Sequence, residues 1–485
     1  MTMNSKINEA SSHQPAREKL DPALIKMAWI LLFGTLAPLF DTTITNVAIH
    51  TLSQALNASV TTIQWVMTSY LLALGMVIPI TGWAVDRFGG KRMWLFALAV
   101  FFTGSILCSL SWNVGSLIAF RAIQGIGGGF MMPIMQTMLV RSARDQKLGK
   151  LMAVAGLPAL LGPILGPVLG GVIVENLNWR WIFFVNIPIC LIAMIWAWRG
   201  LPEEENVKRT SRLDILGLSL ISPALVLIIY GLAQVGTHHG FGHSEVLIPL
   251  LIGLLLLVSF VGYTLRKKES PLIDLSLFKV HSFTAASFLF FLSGLSTYGA
   301  MLLLPMYYQQ IRGEGVLASG LLLMPQGIGM LLTRALAGKL TDQIGPRPVV
   351  LAGTLLTALG TWPFTAAGAD TSHLLLAMTL VVRGAGLGGI FLPVMAASYQ
   401  GLRKEQIPDA SSASRIIQQV GGAFGASVLA VILQNQLDAH TAIDLAAKAT
   451  SFNHTFLWSL GFTVIGLIPA AFLPGRSASS EGSGK

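Results

Sequence analysis

Apolar residues run along this chain in long blocks, and short polar breaks separate them. A helix that crosses a bilayer needs ~20 mostly apolar residues, and the blocks meet that length repeatedly. They fall at 25–49, 62–85, 93–110, 115–140, 151–174, 181–198, 213–235, 247–265, 283–308, 316–338, 349–367, 374–399, 413–433 and 454–474. The pattern predicts fourteen spans and an all-α polytopic membrane protein.

Charge tests that count independently, because cytoplasmic loops are enriched in Lys and Arg. With the N-terminus inside, 26 of the 32 Lys and Arg fall on inner segments, and Arg180, Arg312 and Lys448 fall outside. Arg121, Arg334 and Arg383 lie within spans. This asymmetry predicts an even number of spans, with both termini cytoplasmic and the chain in the cell (plasma or inner) membrane. Residues 1–20 are polar and lack the apolar core of a signal peptide, so the first span is expected to act as its own insertion signal.

Composition agrees. Only 11% of the 485 residues are charged and 53% are apolar, against about 25% charged in soluble domains. The net charge of +10 raises nucleic acid as a partner, but the basic residues are spread over every inner loop, so none is expected. Cys108 and Cys190 sit in apolar runs and make neither a disulfide framework nor a metal site. The nine histidines form no HExxH pattern, which argues against an enzyme. No cofactor or metal is expected; the predicted partners are lipid, protons and small lipophilic substrates, with the protein a monomer.

Two segments recur. "GWAVDRFGGKR" (Gly82–Arg92) closes span 2, and "GKLTDQIGPR" (Gly338–Arg347) closes span 10. "GGFMMPIM" (Gly128–Met135) in span 4 matches "GGIFLPVM" (Gly388–Met395) in span 12, each downstream of an arginine, Arg121 or Arg383, at offsets that differ by two residues. Spans 1–6 and 9–14 therefore read as parallel six-helix halves. Parallel six-span repeats place a transporter's binding site between the halves. The predicted organisation is an N-terminal tail (1–24), a first bundle (25–200), two inserted spans with their loops (201–281), a second bundle (282–475) and a C-terminal tail (476–485).

With these motifs the chain resembles the major facilitator superfamily, in its fourteen-span drug:proton antiporter branch. The inner-loop motif is Gly82, Asp86, Arg87, Gly89, Lys91 and Arg92; span 4 carries Arg121, Gln124 and Gly125. Span 5 carries the antiporter signature "GPILGPVLGG" with Gly162, Gly166, Pro167, Gly170 and Gly171, although Ala153 replaces the glycine that precedes it. "DTTITNVAI" in span 1 is similar to the branch's own signature. The resemblance implies the major facilitator fold, two six-helix bundles plus two extra linking helices. It also implies proton-coupled export of lipophilic cationic drugs by alternating access. A same-fold exporter of an endogenous metabolite or antibiotic fits equally; a proton symporter fits less well.

Asp41 carries the chemistry. An ionised aspartate inside a span costs about 2.5–3.5 kcal/mol on insertion scales, and the apolar pattern continues on both sides, so it is no helix cap. Either it makes a structural hydrogen bond to a neighbouring helix, or it carries a proton. Helical rise puts Arg121 at similar depth, ~9 Å from the outer face against ~12 Å for Asp41, so the two are expected to meet, as a fixed salt bridge or a switchable one. Gln124 shares the Arg121 face. Thr45 and Asn46 extend the polar face of span 1, or serve core hydrogen bonds.

Aromatic and Met side chains suit lipophilic cations. The candidate lining residues are Phe40, Trp65, Tyr70, Met131, Met132, Tyr298 and Tyr307, and each fits a lipid-facing position as well. Gly162, Gly166 and Gly170, with Pro163 and Pro167, give span 5 a smooth, kinked face, for tight packing or for sliding between halves. Asp86 ends a helix whose dipole disfavours an anion, so it should seek a base or another helix start. With Arg87 and Arg92 it forms the expected inner latch, and Asp342 is the weaker counterpart. Arg334 is expected to snorkel to the inner surface. Arg383 has no acid in spans 9–14 to pair with and should bond carbonyls or face the cavity.

Overall fold

A computed structural model describes residues 21–142, 165–166, 168–173, 176–203, 212–237, 240–267, 271–439 and 445–475. Among these, thirteen helices are long and apolar enough to cross a membrane. The predicted fifth span, 151–174, falls mostly outside the described residues.

Helix α1 (Pro22–Val47) starts where Asp21 accepts from the Ala23 N–H at 2.9 Å, with Pro22 at the first helical position. Proline fits there because that N–H has no intrahelical partner anyway. α2 (Val60–Val77) is capped by Ser59, whose hydroxyl accepts from the Thr62 N–H. A 3-10 turn at Ile78–Ile80 containing Pro79 joins it to α3 (Thr81–Phe88). Then follow α4 (Gly90–Ser109), α5 (Val114–Ser142) and α6 (Asn186–Gly200). The linking pair is α7 (Ile215–Thr237) and α8 (Ser244–Arg266). The rest is α9 (His281–Gln310), α10 (Val316–Ile344), α11 (Pro346–Thr361), α12 (His373–Ser398), α13 (Ile407–Ala439) and α14 (Leu445–Ile465).

The repeat read from the sequence is a repeat in space. Gly89 closes α3 at φ 85° and Gly345 closes α10 at φ 88°. Side chains rarely adopt such angles, which explains the shared glycine in both motifs. α5 packs on α2 and α4, as α12 packs on α10 and α11. The backbones approach closely in both halves: a side chain at Gly104 would collide with Gln124, and one at Gly360 with Arg383.

The linking helices are not equivalent. α7 lies against α2 and α13, one helix from each half. Ser222 donates to the Met76 carbonyl (2.8 Å) and Ser427 donates to the Leu232 carbonyl (2.6 Å), so α7 is pinned to both. α8 packs on α7 and turns Leu251, Leu254, Leu255 and Val258 outward.

Candidate functional site

Five helices converge on Asp41. Its carboxylate accepts from Arg121 Nη1 on α5, from Gln124 Nε2 one turn on (2.9 Å) and from Asn186 Nδ2 on α6 (2.9 Å). Arg121 also donates from Nε to the Val66 carbonyl on α2 (3.1 Å) and from Nη1 to Gln124 Oε1 (2.7 Å). The Tyr70 ring lies 4.3 Å from the guanidinium carbon and the Phe183 ring 5.6 Å. Gln124 donates again to Ser105 Oγ on α4 at 2.8 Å. Asp41, Arg121, Gln124 and Asn186 are all 0% exposed. Three donors on two carboxylate oxygens suit the ionised form, because a carboxylic acid would set its own O–H against one of them.

The sequence does not mark Asn186, a lone amide in an apolar run. It becomes a ligand of Asp41 only through the rotation of α6. Thr45 sits one turn from Asp41, but its hydroxyl is spent on the Asp41 backbone carbonyl (2.6 Å). The Asn46 side chain lies outside the described residues.

The candidate lining residues separate. Tyr70 joins the Asp41 centre, and its buried hydroxyl has no hydrogen-bond partner among the described residues. Phe40 is buried with Ile44, Leu117 and Phe183, beside the same centre. Met131 and Met132 are core residues of α5. Trp65 stacks on Tyr230 of α7 at 5.7 Å, at the edge of the first half. Tyr298 is half-buried and its ring lies against Gly422 of α13. Tyr307 is packed into an aromatic cluster with Phe364, Phe452 and Phe456, its hydroxyl donating to the Gly368 carbonyl.

At the basic-loop end, Asp86 pairs with Arg141 at the end of α5 (2.6 Å), while Arg87 is half-buried and Arg92 exposed. The two halves meet here. Gly82 lies against Pro408 and Asp409 in the first turn of α13, and Ser411 donates to the Pro133 carbonyl (3.2 Å). The loop after α8 joins in: the Asp274 N–H donates to Asp409 Oδ2 (3.0 Å), and Gln406 Nε2 donates to Asp274 Oδ2 (2.9 Å). The sequence reading began this span at 413 and so left Asp409 in the loop. The helix starts earlier because Pro408 is tolerated in a first turn. Asp342 is exposed. Gly166 and Gly170 are buried, Gly166 directly against Thr43 of α1, whereas Gly162, Pro163 and Pro167 lie outside the described residues.

The other in-span arginines differ from Arg121. Arg334 is 6% exposed, buried rather than extended to the surface. Arg383 is buried among neutral groups. It donates to Gln326 Oε1 on α10, Thr361 Oγ1 on α11 (3.3 Å) and the Ser296 carbonyl on α9 (3.4 Å).

Residues 31–426 match the family model described as Major Facilitator Superfamily. The chain is 34% identical, over 95% of its length and 92% of the relative's, to a multidrug resistance protein B homolog of Mycobacterium tuberculosis. It is 28% identical to lincomycin resistance protein LmrB of Listeria innocua, covering 94% of this chain and 98% of that one. Among solved structures it is similar in fold to the proton:xylose symporter XylE, with a TM-score of 0.64 at 14% identity, covering 94% of this chain and 97% of that one.

Proposed function

Because the chain belongs to the Major Facilitator Superfamily, a family of multi-pass membrane transporters, we propose that it exports lipophilic, cationic drugs in exchange for protons, with Asp41 as the carboxylate both compete for. The observation that carries this reading is the charge pair of Asp41 and Arg121, held at one depth among five helices with no exposed surface. Intramembrane ionisable residues are costly and mark ion or proton pathways. The names of the relatives, multidrug and lincomycin resistance proteins, support export of toxic compounds.

The arrangement supplies a mechanism. In the sealed state Asp41 is ionised and held by Arg121, Gln124 and Asn186. A proton on Asp41 cancels the attraction to Arg121 and turns one oxygen from acceptor to donor, which frees the carboxyl to leave the cage. A cationic substrate offers a different counter-charge and displaces the proton. The contact of Gly82 with Pro408 and the Ser411 bond to the Pro133 carbonyl hold the basic-loop end closed while the opposite end opens, with the Asp86–Arg141 pair and the Asp274 N–H bond to Asp409 bracing either side. The positive-inside rule sets that closed end toward the cytoplasm.

The test is transport of ethidium in proteoliposomes under an imposed pH gradient. Asp41→Asn is expected to abolish gradient-driven accumulation and to weaken ethidium binding to the purified protein. Accumulation at the wild-type rate in that variant would reject the proton role of Asp41.

A further inference from the structure

The second half repeats the close packing around Gln124 with Arg383 in the place of that glutamine and, among the described residues, no acid bonded to it. The same offset in sequence separates Gly82 from Gly338, Gly89 from Gly345, Gly104 from Gly360 and Ser105 from Thr361. In the first half, Gly104 lies against Gln124, whose amide donates to Ser105 and to Asp41. In the second, Gly360 lies against Arg383, which donates to Thr361. Tyr70, which covers the Arg121 guanidinium, corresponds by that offset to Gln326, which accepts from Arg383. The packing is repeated; the charge is not. Among the described residues, the first centre holds one cation and one anion, and the second holds a cation with neutral acceptors only.

The hydrogen bonding of Arg383 is also incomplete. A guanidinium has five N–H donors, and three are used among the described residues. Two of those bonds, at 3.3 and 3.4 Å, are long against the usual ~2.9–3.0 Å. All three acceptors are neutral. A buried cation in such surroundings is completed by an anion with oxygen or halide lone pairs. Of its acceptors, Gln326 is the half-buried one.

We propose that Arg383, with Gln326 and Thr361, is a monoanion-binding site in the second half. It takes a carboxylate borne by the transported compound or a free halide from solution. The inference extends the export reading to zwitterionic substrates. Such a compound places its cationic group at Asp41 and its acid at Arg383.

Detergent-purified protein is titrated with sodium chloride against sodium sulfate, a dianion, at constant ionic strength, and Tm is read. This arm needs no proton gradient, so it stands or falls apart from the coupling of Asp41. Wild type is expected to gain several degrees in chloride, Arg383→Gln to gain nothing and Arg383→Lys to keep part of the response. Elution as a single species on gel filtration shows that each variant is folded. Equal chloride responses in wild type and Arg383→Gln overturn the site.

A second arm separates the sources through vesicle transport of rhodamine B, which carries a free carboxylate, and of its ethyl ester. If Arg383→Gln lowers kcat/KM about tenfold for rhodamine B and leaves its ethyl ester unchanged, the anion travels on the substrate. If both dyes lose chloride-dependent transport together, the anion is the halide. Unchanged transport of both dyes at all chloride concentrations overturns a role in transport.

Discussion

The two halves use one helical plan and spend it differently. In the first, a buried arginine donates to an aspartate, a glutamine and a backbone carbonyl, and its charge is neutralised. In the second, a buried arginine meets a glutamine, a threonine and a carbonyl. Glycines fix the packing alike in both, so backbone geometry does not decide which half carries a charge pair. The acid does, and only one half has it. A symmetric scaffold thereby acquires one neutral polar centre and one positive one, which a transporter can present to different parts of a cargo.

The largest expected effect comes from breaking the complete pair. Asp41→Asn leaves Arg121 buried opposite a neutral amide, and removing one partner of a buried pair costs about 3–5 kcal/mol. Arg121→Gln should cost a similar amount. The double variant, Asp41→Asn with Arg121→Gln, should recover most of the thermal stability in detergent while remaining unable to couple transport to a pH gradient. Arg383→Gln should behave in the opposite way in sulfate buffer without halide, with Tm unchanged or raised, because it removes a cation that has no counter-charge among the described residues. Equal losses for Asp41→Asn and Arg383→Gln would show that the halves do not differ as described.

A second variant sharpens the contrast by supplying the missing acid. Gln326→Glu places a carboxylate where Arg383 already donates. An ion pair should form, with Tm raised in halide-free buffer because the hydrogen bond gains charge on both sides, and the chloride response of Tm should vanish. If the variant is destabilised, the Arg383 cage has no deficit of negative charge.

Much of this was legible in the sequence, and the limits have physical causes. Asp41 and Arg121 stood out because charge inside an apolar run is expensive, and helical rise alone placed them at one depth. The repeat was legible through Gly89 and Gly345, since a positive φ selects glycine. Asn186 was not, because an uncharged amide costs little enough to pass in an apolar run, and its aim depends on how α6 is turned. The aromatic candidates were also undetermined. A ring that lines a cavity and a ring that fills a core leave the same mark, and Tyr307 proved to lie in a cluster of phenylalanines. Arg141 was counted as a loop charge; only the packing of α3 against α5 brings it to Asp86.

Steric equality of the halves gives a third, smaller test. Gly104→Ala and Gly360→Ala each drive a methyl group into the facing backbone, and overpacking of that kind costs about 1–3 kcal/mol. The two losses should be similar. A large difference would mean that the close approach, and not the charge, distinguishes the halves.

The smallest effect belongs to a charge pair at the membrane edge, and it shows what depth contributes. Asp214, before α7, accepts from Lys267 (2.8 Å), from the Tyr263 hydroxyl (2.9 Å) and from the Gly217 N–H (3.0 Å). Burial pushes its pKa up, but the hydrogen bonds from Lys267, Gly217 and Tyr263 outweigh burial and hold the carboxyl below its ordinary value. Lys267 is desolvated, which pulls its pKa down, yet Asp214 and Tyr263 raise it overall. The Asp214 contribution is therefore full above its unfolded pKa of about 3.9 and fades as pH falls through its lower folded value. The Lys267 contribution is full below about 10.4 and fades as pH rises through its higher folded value. Lys267→Met should cost about 1 kcal/mol or less, because the ammonium is partly solvated. That deficit should stay constant from about pH 5 to 9 and shrink at both extremes. Thermal unfolding across pH reads it directly. A deficit as large as that of Asp41→Asn would mean that depth in the membrane is not what makes the first-half pair costly to break.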